Sequence, residues 1–242
     1  MKYRYVAGVV ALSLCVGAAV AQAQYYYNSP PPAGPYPPPP AVLYLPPDAG
    51  PYFRLGVGPS FFENGLLTKF GGPVSSEVDY KTGLAADAAF GWAFNQNVAL
   101  DFETGFIGAK INNVSGYSSD NSSLYNVPFL VNVTLSLPIP RTNLIPYIGA
   151  GVGGADVGFD TDSFSQNSTG NTVYGSENDV VFAGQIFAGL RFRLSQDMSL
   201  DVGYKYFATA DPSFSYPPAP NFPVGFRGVR THSFLFAFVW KF

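Results

Sequence analysis

Nine ionisable residues pose the first chemical question: Arg54, Asp87, Asp101, Glu103, Arg191, Arg193, Asp201, Lys205 and Lys241 all lie in short stretches where polar and bulky apolar residues alternate. A period of two puts the charges of each stretch on one face of an extended strand and the apolar groups on the other. With four acidic groups against five basic ones, the charges nearly balance. Enclosed together, they are expected to pair into a network that fills a narrow interior. The competing chemistry is a proton or small-ion path gated by one of the pairs.

Other constellations carry less. Gly149, Gly151 and Gly154 match the spacing of a dinucleotide-binding turn, but that turn must open a helix and residues 155–171 read as a polar loop. Asp156, Asp160 and Asp162 offer oxygens, yet Phe164 and the lack of a closing Glu spoil a calcium loop. His232 is the only histidine. A hydrolase would need a nucleophile on the same strand face, and that position, two residues on, is Phe234, while Ser233 points the opposite way. Neither an enzyme nor a cofactor or metal site is expected.

The elements that position these residues start from an address. Lys2 and Arg4 form a basic start, residues 6–20 an apolar run and Ala21-Gln22-Ala23 a cleavage signature, so residues 1–23 read as an export signal. Cys15, the only cysteine, lies inside it and follows Leu14, which does not suit lipid attachment. Removing the segment takes away Lys2 and Arg4, which moves the formal charge from −3 to −5 and leaves no thiol. Mild acidity gives no footprint for nucleic acid. Residues 24–51 hold proline runs at 30–32, 37–40 and 46–47, which lack amide donors and read as a disordered or polyproline leader.

From residue 52 to 242 the chain breaks into eight alternating segments, near 52–61, 81–94, 98–106, 125–135, 147–155, 182–194, 199–207 and 231–242. Pro128 interrupts the fourth and suggests a local bulge. Short turns and long polar loops separate the segments in alternation, so both ends of the domain lie on the side of the short turns. Only 12% of residues are charged and 17% are aromatic. A soluble domain carries about a quarter charged residues. The apolar faces are therefore expected to meet hydrocarbon, and closure follows because an open edge there would strand backbone donors and acceptors. The predicted fold is all-β: an eight-stranded antiparallel up-and-down transmembrane β-barrel preceded by a signal peptide and a Pro-rich leader.

The long loops, residues 62–79, 107–124, 156–179 and 208–230, read as a solvated coat. In the last of them Phe214, Tyr216, Phe222 and Phe226 stand among prolines, and exposed aromatics held in this way would make low-entropy contacts to a surface ligand or host molecule.

Tyr-Phe-Arg-Leu-Gly-Val-Gly at 52–58, Pro-Tyr-Ile-Gly-Ala-Gly-Val-Gly at 146–153, Leu-Asp-Val-Gly-Tyr-Lys-Tyr at 200–206 and the aromatic last strand resemble the opacity-type porins, small barrels akin to outer-membrane protein A. That resemblance implies the outer membrane of a Gram-negative-type bacterium, its lipid as surroundings, and a C-terminal signal, here Phe238, Trp240 and Phe242, read by the barrel-assembly machinery. The Pro-rich leader and the proline-rich fourth loop depart from the pattern. The expected role is structural or adhesive, with a plugged lumen; the alternative is a narrow channel for small or apolar solutes.

Overall fold

The computed structural model describes residues 49–216 and 222–242. The predicted export signal at 1–23 and the predicted leader, as far as residue 48, lie outside the described residues. In chain order the strands are β1 (Gly50–Phe62), β2 (Gly65–Phe70), β3 (Pro73–Tyr80), β4 (Gly83–Ala93), β5 (Val98–Val114), β6 (Tyr117–Asp120), β7 (Ser123–Ser136), β8 (Leu144–Gln166), β9 (Thr172–Arg193), β10 (Met198–Thr209), β11 (Ser213–Tyr216), β12 (Phe222–Phe226) and β13 (Arg230–Lys241). Eight of them, β1, β4, β5, β7, β8, β9, β10 and β13, pair antiparallel in a closed ring, with β13 returning to β1. These are the eight segments read from the alternation.

Closure fixes the geometry. Ladder partners lead from Ser60 of β1 through Ser233, Lys205, Phe187, Gly149, Thr134, Ala99 and Ala93 back to β1 at Gly50, ten residues below the start. A stagger of ten over eight strands tilts them by about 40°, so each residue climbs about 2.5 Å along the axis. On that geometry Phe61, Leu84, Phe106, Phe129, Phe182, Tyr206 and His232 share one level on the outer face. Roughly ten residues lower, Phe94, Leu144, Phe192, Met198, Trp240 and Phe242 share another. The two levels lie about 25 Å apart, the height of the apolar band of an outer-membrane barrel. Between or close to them lie the large apolar side chains exposed on the ring, among the described residues, except Tyr174 and Val180 on β9.

Several expectations change. Gly50 and Pro51, assigned to the leader, open β1: Gly50 pairs with Ala93, and the carbonyl of Pro51 accepts from the Phe242 amide at 3.1 Å. Pro51 is tolerated because its carbonyl does the pairing. No bulge forms at Pro128. The β5–β7 ladder stops at Thr104↔Phe129 and resumes in the same register at Ile107↔Asn126, so the missing donor costs local pairing without shifting either strand.

The largest correction concerns the loops. β5, β7, β8 and β9 run on past the outer level, and β8 pairs with β9 as far as Ser165↔Thr172. Beside them β11, β12, β2 and β3 form a second sheet that joins β5 through β3, while β6 adds to β8. What reads as a solvated coat is an upper sheet wrapped around a core of its own.

Candidate functional site

The lumen-facing positions build two tiers. The lower is polar and lies between the two membrane levels. Lys205 on β10 donates to Asp87 of β4 and Glu103 of β5 at 2.5 Å each. Arg54 on β1 reaches the same two carboxylates at 3.1 Å and 2.8 Å. Nearer the periplasmic end Arg191 holds Asp201 with two bonds, Nε to Oδ1 at 2.8 Å and Nη2 to Oδ2 at 2.9 Å. The fork geometry of Arg suits that bidentate grip. Glu103 is only 1% exposed and Lys205 3%. Buried ions of this kind persist because each has several partners.

Neutral residues complete the layer. The Tyr52 hydroxyl donates to Asp101 at 2.5 Å, and Asn132 donates to Asp101 at 2.7 Å and to Glu103 at 3.2 Å. Gln185 donates to Glu103 at 3.1 Å and to Asn132 Oδ1 at 2.8 Å. The guanidinium of Arg191 lies 5.5 Å from the centre of the Tyr147 ring. The void left among Tyr52, Arg54, Tyr147, Arg191 and Asp201 is about 10 Å³, the lower limit for one water. Asp87 Oδ1 and Gln185 Oε1 are buried there without partners.

All nine charges predicted from alternation therefore face the interior. Seven of them, Arg54, Asp87, Asp101, Glu103, Arg191, Asp201 and Lys205, meet in this layer. Arg193 and Lys241 lie half-buried at the periplasmic mouth, and each has an interaction of its own. Tyr52, Asn132, Gln185 and Tyr147 went unpredicted as partners, although the same alternation puts Tyr52 two residues from Arg54.

The upper tier is apolar. At the outer level Ala85, Ile107, Leu130, Ala155 and Ala183 close over the polar layer. Above them Phe70, Phe159, Phe164, Phe214, Tyr216, Phe226, Leu67, Val78 and Val224 form one core. Phe159 touches Phe164, Phe214, Tyr216 and Phe226 with ring centres 5.2 to 6.1 Å apart. The Tyr216 hydroxyl donates to the Phe159 carbonyl at 2.6 Å, and burial followed by the Glu177 carboxylate pushes its pKa up. Phe214, Tyr216 and Phe226 are thus 1% exposed, and Phe222 packs on Phe70 with ring centres 4.9 Å apart. As contact residues for a ligand these four are a correction: apolar side chains at alternate positions bury wherever a second sheet can enclose them.

The predicted assembly residues lie on the outer face of β13, next to the closing strand β1. Phe238 is half-buried, and Trp240 stacks on Phe242 with ring centres 5.8 Å apart. The glycines at 149, 151 and 154 lie in the middle of β8. Asp156 takes both its contacts from the Asn178 amide, and Asp162 is bonded by Asn121. His232 stands on the outer face between the Tyr204 hydroxyl, 2.6 Å from Nδ1, and Glu63, 3.0 Å from Nε2.

A closed eight-strand ring, a 25 Å apolar belt bounded by aromatic girdles and a charge-paired interior define a small transmembrane barrel of the Gram-negative outer membrane. The chain belongs to the outer membrane protein beta-barrel domain family, whose model matches residues 42–242. An uncharacterized protein of Brucella abortus is 26% identical over 151 residues, which are 54% of this chain and 53% of that one. The chain thus spans about half the length of the curated relatives it matches. Among solved structures the outer membrane protein OprG from Pseudomonas aeruginosa is similar in fold, with a TM-score of 0.52 at 14% identity, covering 81% of this chain and 98% of that one. The outer membrane protein AlkL gives a TM-score of 0.48 at 21% identity, covering 87% and 97%.

Proposed function

We propose that this barrel acts from its outer surface, as a structural and adhesive element, with a lumen closed to solutes. The observation that carries the reading is the upper sheet. It raises β8 and β9 well beyond the membrane, and on its exterior Tyr174 is 61% and Val180 74% exposed. They stand about 20 Å and about 5 Å above the outer girdle, so Tyr174 clears the membrane boundary, and the core covers neither side chain. Beside them β9 and β11 face each other without a ladder among the described residues, linked by the Ser213 amide donating to Asp179 at 2.9 Å. A strand edge next to exposed apolar side chains suits a protein partner.

Two measurements test this. Cells carrying the barrel should bind a host-derived surface several-fold better than cells carrying Tyr174→Ser with Val180→Asp at equal surface levels. Equal binding would remove the adhesive part. In planar bilayers the refolded barrel should show no single-channel steps, and steady ionic conductance would favour the alternative, a narrow channel. The aromatic C-terminal strand, Phe238 to Phe242, is read in this proposal as the segment the assembly machinery engages, since it closes the ring on β1.

A further inference from the structure

A second surface lies at the membrane boundary itself. Where β1, β12 and β13 end near one another, Glu63, Asn64, Gly65, Tyr80, Arg227 and Arg230 line a cavity of about 90 Å³. Arg230 is two residues above His232, and Glu63 two above Phe61, so the cavity opens roughly 5 to 8 Å beyond the outer girdle, at headgroup height. Directly beneath it the outer face is apolar: Phe61 meets Phe234 edge-on at 6.3 Å, and Phe236 follows.

We propose that this cavity binds the phosphorylated headgroup of an outer-leaflet glycolipid, whose acyl chains lie down the Phe61–Phe234–Phe236 face. Arg227 and Arg230 are both exposed and supply two guanidinium forks, the group best matched to phosphate oxygens. The Glu63 carboxylate holds Arg230 through a contact of 3.6 Å at one oxygen and lies 3.0 Å from His232 Nε2 at the other, which leaves most Arg230 donors open. That same carboxylate opposes a bare anion and favours a ligand that also carries hydroxyls, as a sugar does. Asn64, whose amide donates to Glu77 at 3.0 Å, keeps its carbonyl for the same purpose. The Tyr80 ring packs on Phe62 with centres 5.2 Å apart, and its hydroxyl lies beside Gly65, which also lines the cavity. This site rests on the membrane placement alone and is independent of the adhesive reading.

The test uses the full barrel in a mild detergent, with native mass spectrometry of bound lipid. The probes are a bis-phosphorylated acyl-glucosamine disaccharide, its dephosphorylated form, phosphatidylglycerol and inorganic phosphate. The wild type should hold the phosphorylated glycolipid about tenfold more tightly than the dephosphorylated one, the worth of one charge-assisted bond. Arg227→Gln with Arg230→Gln should erase that difference, each single variant should reduce it, and Lys69→Gln, on β2 away from the cavity, should leave it. A gel shift between unheated and boiled samples verifies folding of every variant. Equal preference in wild type and double variant would overturn the proposal. So would equal binding of phosphatidylglycerol, which would show a site that reads phosphate without sugar, or displacement of nothing but inorganic phosphate.

Discussion

At the scale of single residues the interior is decided by how many partners each buried charge has. Lys205 is the sole cation that joins Asp87 and Glu103 from the β10 side, while Arg54 reaches them from β1. Lys205→Met removes one charge and leaves two carboxylates to share one guanidinium, in a site where Asp87 Oδ1 already lacks a partner. Removing one member of a buried pair costs about 3 to 5 kcal/mol. The urea midpoint of the reconstituted barrel should fall accordingly. Asp87→Asn should then cost less in the Lys205→Met background than alone, because the pair is already broken. Additive costs would mean the two groups do not interact. The lumen charges were legible because alternation dictates facing. Their neutral partners were less so: Asn132 meets Asp101 and Glu103 on the adjacent strand and Gln185 meets Glu103 three strands away, but nothing in their own segments says which carboxylate each would meet.

At the scale of elements, the eight ring strands were legible for the same reason, and their outer ends were not. The alternation of Phe214 with Tyr216, or of Val224 with Phe226, spans too few residues to stand out from Ser-, Gly- and Pro-rich surroundings. Their pairing is also non-local, since β12 meets β2 across more than 150 residues, as Val224↔Phe70 shows. The closing seam is a different case. A methyl group on Gly58 would stand 1.8 Å from the Phe234 carbonyl oxygen, so β1 and β13 approach there more closely than any side chain allows. Gly58→Ala must push the two strands apart at the only join between the first and last ring strands. It should reduce the folded, heat-modifiable fraction on refolding into vesicles far more than Ala at an outward position such as Val57. Equal yields would show that the seam has slack.

At the scale of the whole molecule, the closed lumen proposed above would rest on two tiers that fill one passage by different chemistry. The polar layer sits within the membrane span, where its charges are screened from lipid by the wall. The aromatic core sits at and beyond the outer level and is held by the upper sheet. On that proposal loss of one tier leaves the other, and neither alone is expected to control permeability. Phe159→Ala with Phe164→Ala removes the rings on which the upper core converges, at about 3 to 5 kcal/mol each. The upper sheet should then become protease-sensitive while the ring stays heat-modifiable and shows no conductance. Adding Arg54→Ala and Lys205→Ala to that variant removes the side chains that bridge the lower layer and leaves uncompensated carboxylates, which draw in water and cations. Conductance should appear in this combined variant and in neither parent. Steps already present after Phe159→Ala with Phe164→Ala would show that the polar layer passes ions by itself and that the aromatic tier is the gate.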